Sequence, residues 1–195
     1  MFSVTLSLLP AGIINGLMFG AIYALAALGL TLIYGVLHII NFAHGAMLML
    51  ALYSAYFLFK ILNIDPYVAI LIVTPASYIF GYTIYRWGIG KLSGGRDQNI
   101  LLITLGLSII LENSALFFFT GDQQTITLPY SYESFDLGFL YLSYPKLISF
   151  IASLIICVLL WMLMTLTDLG KAIRAVAKER DGARLVGIDA VSYTH

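Results

Sequence analysis

Three polar side chains at every third residue, His38, Asn41 and His44, lie in the stretch L-I-Y-G-V-L-H-I-I-N-F-A-H-G at 32–45, between two long apolar runs. If the segment is helical, that spacing gathers them in an arc of about 120°. Hydrocarbon supplies no hydrogen bonds, and each unmet polar group there costs several kcal/mol. The face is therefore expected to look at protein, as packing or a satisfied buried cluster, or at a water-filled path. Together with Glu112, the two histidines would also be the obvious chemistry of a membrane-embedded enzyme. That class is disfavoured: no zinc-type histidine pair at i, i+4 and no nucleophile with a local base is found.

Composition determines which elements must hold these groups. Of 195 residues, 61% are hydrophobic and only 10% charged, against about 25% charged in soluble domains, so the chain is read as an integral membrane protein. Formal charge is zero and no nucleic-acid footprint is present; only the distribution of charge is informative. Cys157, the one cysteine, sits in an apolar run, can form no internal disulfide and reads as packing. The opening M-F-S-V-T-L-S-L-L-P lacks Lys and Arg, and the run behind it is too long for a signal-peptide core, so it is expected to be retained. The apolar runs are continuous rather than alternating, which points to helices and not to a barrel.

Five spans are expected, at 11–34, 38–59, 66–85, 98–119 and 145–166, forming an all-α polytopic bundle. In the first, Gly12, Gly16, Gly20 and Ala24 make a ridge of small residues on which another helix backbone can come close, with Asn15 flanking it. Only residues 35–37 separate it from the second span. That implies a hairpin bend or broken helix at Gly35, tolerated at such depth only where protein or a water-lined cavity covers it. Pro66 opens the third helix where a missing N–H costs least, and Pro75 interrupts it.

The loop at 86–97 contains G-I-G-K, but a phosphate-binding loop requires glycine at 85 and Ser or Thr at 92, where Tyr85 and Leu92 stand. Nucleotide binding there is rejected. In the fourth span, Glu112 and Asn113 lie toward the later end, with Thr104 and Ser108 expected on another part of the surface. A carboxylate at the bilayer centre costs about 2.5–3.5 kcal/mol, so Glu112 is either interfacial or paired in packing, or it belongs to a path. The segment 120–144 carries Asp122, Glu133 and Asp136, no basic residue and many aromatic rings. It either folds back on the membrane surface or docks a soluble partner.

Alternating the five spans places Arg86, Lys91, Arg96, Lys171, Arg174, Lys178, Arg180 and Arg184 on one side and only Lys60 and Lys146 on the other. Eight of ten basic residues together mark the cytoplasmic side. The amino terminus and the acidic aromatic loop are then expected outside, the carboxyl end inside. Past Leu166 the chain turns amphipathic. Asp168 is expected to cap a helix with Ile173, Val176, Ala177 and Arg180 on one face and Gly187 as terminator. Its apolar face is small and lacks Trp or Phe, which favours a protein groove over the lipid surface.

These residues carry a resemblance. G-K-A-I-R-A-V-A-K-E-R-D-G-A-R-L-V-G-I at 170–188 resembles the cytoplasmic coupling segment of permease subunits from bacterial branched-chain amino-acid ABC importers. N-G-L-M-F-G-A-I-Y-A-L-A-A-L-G-L-T-L-I-Y-G-V-L-H-I-I-N-F-A-H-G-A at 15–46 is similar to the family's opening signature, and T-L-G-L-S-I-I-L-E-N at 104–113 resembles its middle segment. Three ordered matches span almost the whole chain.

The resemblance implies a single, partial permease domain in the bacterial inner membrane, with a coupling segment at about 168–188. Its implied partners are a second permease subunit, two cytoplasmic ATPases and a periplasmic substrate-binding protein. ATP is used by the partners; no cofactor or metal is expected on this chain. Ile173, Val176 and Ala177 would seat in the ATPase groove between Lys171 and Gly187, and Arg174, Lys178, Arg180 and Arg184 would supply orienting charge. The path for a hydrophobic amino acid would involve Asn41 ahead of His38 and His44, with Asn15 and Glu112 as further candidates. Two departures stand out: the chain stops at S-Y-T-H where family members continue, which suggests a truncated reading frame, and Glu112 occupies a place where a neutral amide is expected. A sugar-transporting permease of the same superfamily and an ATP-independent transporter or channel are the alternatives.

Overall fold

The computed structural model describes residues 2–37, 40–89, 97–131, 134–136 and 141–179; His38, Arg180, Arg184 and Gly187 lie outside the described residues. In chain order the elements are α1 (Phe2–Leu37), α2 (His44–Leu62), α3 (Pro66–Ile84) running into a π turn (Tyr85–Ile89), and α4 (Asp97–Phe119). A 3-10 turn (Pro129–Ser131), strands β1 (Ser134–Asp136) and β2 (Tyr141–Ser143), α5 (Tyr144–Leu166) and α6 (Asp168–Lys178) follow. Five stretches are long and apolar enough to cross a membrane: Leu9–Gly35, His44–Leu62, Pro66–Gly88, Asn99–Phe119 and Tyr144–Leu166. The protein is an all-α polytopic membrane bundle. Among the described residues its only sheet is the β1–β2 hairpin, antiparallel with Ser134 opposite Ser143.

Two compact units form, one from Met1–Leu32 with Thr127–Tyr193 and one built on Ile33–Ile126, so α1 contributes to both. In the first, Met18 of α1 and Leu142 of β2 are buried, with Ala11, Ile14, Leu147 and Phe150 packed against them. The Lys146 ammonium lies 4.9 Å from the centre of the Phe19 ring, a cation–π contact. The glycine ridge of α1 is not used for close packing among the described residues. A Cβ added at Gly12, Gly16 or Gly20 would meet no atom within 4 Å.

In the second unit α2 and α3 form a helical hairpin whose turn is written in N-I-D-P. Asn63 adopts the left-handed conformation (φ 50°) and its N–H bonds to Phe59 O at 2.9 Å, a conformation asparagine tolerates better than most residues. The Asp65 carboxylate then accepts the Tyr67 N–H at 2.9 Å, and Pro66 fills the first helical position.

Helices α2 and α4 lie side by side and run in the same direction. Phe42, just ahead of α2, bonds to Thr104 early in α4, while at its end Phe119 stacks with Tyr53 and meets Phe57 at a tilt, ring centres 4.7 and 4.8 Å apart. At that end the Tyr56 hydroxyl donates to Gln124 Oε1 at 2.7 Å and Lys60 lies over the Tyr56 ring. The chain leaves α4 through Thr120, whose φ is 66° and whose hydroxyl donates to Asp122 at 3.2 Å. The start of the acidic loop is thereby pinned to the end of α2.

Candidate functional site

The polar stretch is not helical over 40–43. α1 ends at Leu37 and α2 begins at His44, with residues 40 and 41 outside any regular element and 42 and 43 in a turn. The cause is Asn41. Its side-chain oxygen accepts the Ala43 N–H at 3.0 Å, and its carbonyl accepts the His44 N–H at 3.2 Å. An asparagine that bonds its own backbone two residues on offers the chain an alternative to helix. Of the three residues expected on a common face, then, Asn41 makes the turn and His44 is the first residue of α2; the expected second span, beginning at 38, is corrected to a helix beginning at His44.

The turn is tied down by a residue that sequence reasoning placed elsewhere. Phe42 donates its N–H to the hydroxyl of Thr104 at 3.3 Å, and that hydroxyl donates to Leu101 O at 3.1 Å. Thr104 is 1% exposed, so its hydroxyl is spent holding backbone. Irregular backbone at membrane depth needs this kind of satisfaction from protein. The available signal was the pair Thr104 and Ser108, four residues apart in an otherwise apolar helix.

Ser108 and Glu112 are likewise not on separate surfaces. The Ser108 hydroxyl donates to Glu112 Oε1 at 2.7 Å, one helical turn on. Thr104, Ser108 and Ala115 form the buried side of α4, and Glu112 lies at its rim, exposed. Asn113 turns its amide back to Ile109 O at 2.7 Å. Asn15, in the other unit, does the same toward Ala11 O at 3.0 Å and is half-buried. Neither amide donor is directed at a separate group by these bonds.

The short helix α6 is capped by Thr167 rather than by Asp168. The Thr167 oxygen accepts the Gly170 N–H at 3.1 Å, while Asp168 occupies the first turn and pairs with Lys171 at 2.9 Å. That hydrogen bond, and next the Lys171 charge, hold the Asp168 carboxyl below its ordinary range. Gly170 is required sterically: a Cβ there would stand 2.4 Å from the carbonyl oxygens of both Leu163 and Met164. Without a side chain it lets α6 fold back onto the end of α5.

This close approach decides which face of α6 is available. Ala172 and Val176 are buried within the chain, Val176 to 1% exposure, so the expectation that Val176 seats in a partner's groove is corrected. Ile173 and Ala177 are half-buried at the flank, and Lys171, Arg174 and Lys178 are exposed. At 100° per residue those three cations form one stripe opposite Ala172 and Val176. The outward face is basic, not apolar.

Comparison with known proteins places these features in a family. Residues 12–194 match the family described as the permease component of branched-chain amino acid transport systems. The chain is 30% identical over 192 residues to the high-affinity branched-chain amino acid transport system permease protein BraD of Pseudomonas aeruginosa, covering 91% of this chain and 62% of that protein. It is 25% identical over 192 residues to the corresponding LivH of Escherichia coli, covering 90% and 61%. A probable branched-chain amino acid transport permease protein, LivH of Methanocaldococcus jannaschii, is 26% identical over 185 residues, covering 90% and 57%. The chain thus spans about three fifths of the length of these relatives, and no solved structure matches it. Its match over nearly the whole length, on five membrane-capable helices, establishes that the chain belongs to the permease-component family of branched-chain amino acid transport systems.

Proposed function

We propose that the chain is a membrane subunit of an ATP-driven importer of hydrophobic amino acids and forms part of the path without reacting with the substrate. The family match over 12–194 carries this reading. A second permease, two cytoplasmic ATPases and a binding protein outside the inner membrane complete the assembly. The segregation of eight of ten basic residues supports a cytoplasmic α6 and an outside acidic loop.

Two features fit the task. The unwound turn at Asn41, between the ends of two apolar helices, is the kind of interruption at which membrane transporters form polar binding positions. The basic stripe of α6, rooted through Gly170 on the last turn of α5, is a short rigid link by which motion of an ATPase reaches a membrane helix. ATP shifts the equilibrium only if the ATPase contacts α6 differently in the outward-open and inward-open states. In this assignment Lys171, Arg174 and Lys178 face the ATPase, with Ile173 and Ala177 beside them and Arg180, Arg184 and Gly187 continuing the segment. A tagged chain purified from its own cell with its neighbours should retain a nucleotide-hydrolysing subunit; an R174E/K178E chain that inserts normally should lose it. Equal retention by both contradicts the docking assignment.

A further inference from the structure

Glu112 is the only acidic side chain within the five membrane-capable stretches. It stands seven residues before the end of Asn99–Phe119, about 10 Å along the helix from that end. An ionised carboxylate has about four acceptor positions, and Ser108 fills one. Among the described residues no cation pairs with it; the Lys171–Asp168 pair lies on another helix. Its side chain is exposed in this chain.

The side chains around it have a definite character. Leu105, Ile109, Glu112 and Leu116 recur at spacings of four, three and four, and so share one strip. Leu105 is 45%, Ile109 53% and Leu116 58% exposed, and Glu112 is exposed among them. A single carboxylate framed by branched aliphatic groups is complementary to a molecule with one ammonium and one aliphatic side chain. Facing lipid, the same strip would leave the carboxylate with the Ser108 hydroxyl as its one donor and its other acceptor positions unmet, at a cost of several kcal/mol.

We infer that the Leu105–Ile109–Glu112–Leu116 strip of α4 faces the translocation path and that Glu112, held by Ser108, receives the α-ammonium of a hydrophobic amino acid while the aliphatic residues pass its side chain. This rests on the permease reading and names the substrate-contacting group within it.

The test uses the assembled transporter in its own membrane, with Cys157 replaced by alanine. In an I109C chain, which keeps the carboxylate, a membrane-impermeant cationic thiol reagent reacts faster than its anionic analogue, and leucine slows the reaction. Adding E112Q removes the preference for the cationic reagent. In the absence of I109C, E112Q lowers leucine uptake by about tenfold or more at unchanged membrane abundance, and E112D retains more uptake than E112Q. Failure of both thiol reagents to modify I109C, or wild-type uptake by E112Q, overturns the inference. If E112Q does not assemble, the I109C reagent preference and leucine protection decide alone. A parent chain that carries no amino acid while I109C shows the expected preference would instead overturn the permease reading.

Discussion

The backbone N–H of Phe42 donates to the hydroxyl of Thr104, 3.3 Å away, and this bond ties the unwound turn before α2 to the buried side of α4. Replacing Thr104 with valine keeps the shape but leaves the Phe42 backbone donor unmet. The expected loss is about 1–3 kcal/mol, visible as a lower unfolding temperature of the detergent-solubilised protein. Serine at the same position should restore most of it. Equal unfolding temperatures for the threonine and valine proteins would contradict this role.

Gly170 gives a prediction of a different kind, because the obstacle is backbone. A methyl group there would meet the Leu163 and Met164 carbonyl oxygens at 2.4 Å, and neither can move without disturbing the last turn of α5. G170A should lift α6 off α5 at a cost of about 1–3 kcal/mol. Amide hydrogen exchange over α6 should accelerate while the span Tyr144–Leu166 stays protected. Unchanged exchange would mean that the close approach is not needed.

Much of this fold was legible in the chain, and the exceptions share a cause. The five apolar runs, the Pro66 start of α3 and the amphipathic character of α6 are local patterns, and local patterns survive into structure. The start of α2 was misplaced because a period of three does not reveal that Asn41 bonds its own backbone. Thr104 was passed over because its partner is 62 residues away. The apolar residues of α6 were assigned outward because periodicity shows that a face exists but not what covers it; Ala172 and Val176 are buried within the chain itself. At the ridge of Gly12, Gly16 and Gly20 the sequence shows that a helix can come close, while no atom of the described residues does so.

The Asp168–Lys171 pair predicts a titration. Because the folded carboxyl is held below its ordinary value of 3.8, the pair's contribution is complete above that value and fades as pH falls through the lowered one. Carboxyl carbon shifts of labelled Asp168 should report a midpoint below 3.8, and K171M should raise it toward that ordinary value. A midpoint indifferent to Lys171 would contradict the assignment of cause.

The two faces of α6 should separate in mutants. V176A removes two buried methyl groups and should loosen α6 by about 1–3 kcal/mol, seen as faster exchange across the helix. R174E should leave the helix folded and reduce ATPase retention. If R174E unfolds α6 while V176A leaves it untouched, the inside and outside of the helix have been exchanged.

The claim that the chain serves an ATP-driven importer of hydrophobic amino acids is tested most directly by uptake in its own cell. Deleting the gene should abolish high-affinity uptake of radiolabelled leucine, and the uptake restored by the returned gene should collapse on depletion of ATP but survive a proton uncoupler. Uptake that is unaffected by the deletion, or that follows the proton gradient rather than ATP, would contradict it.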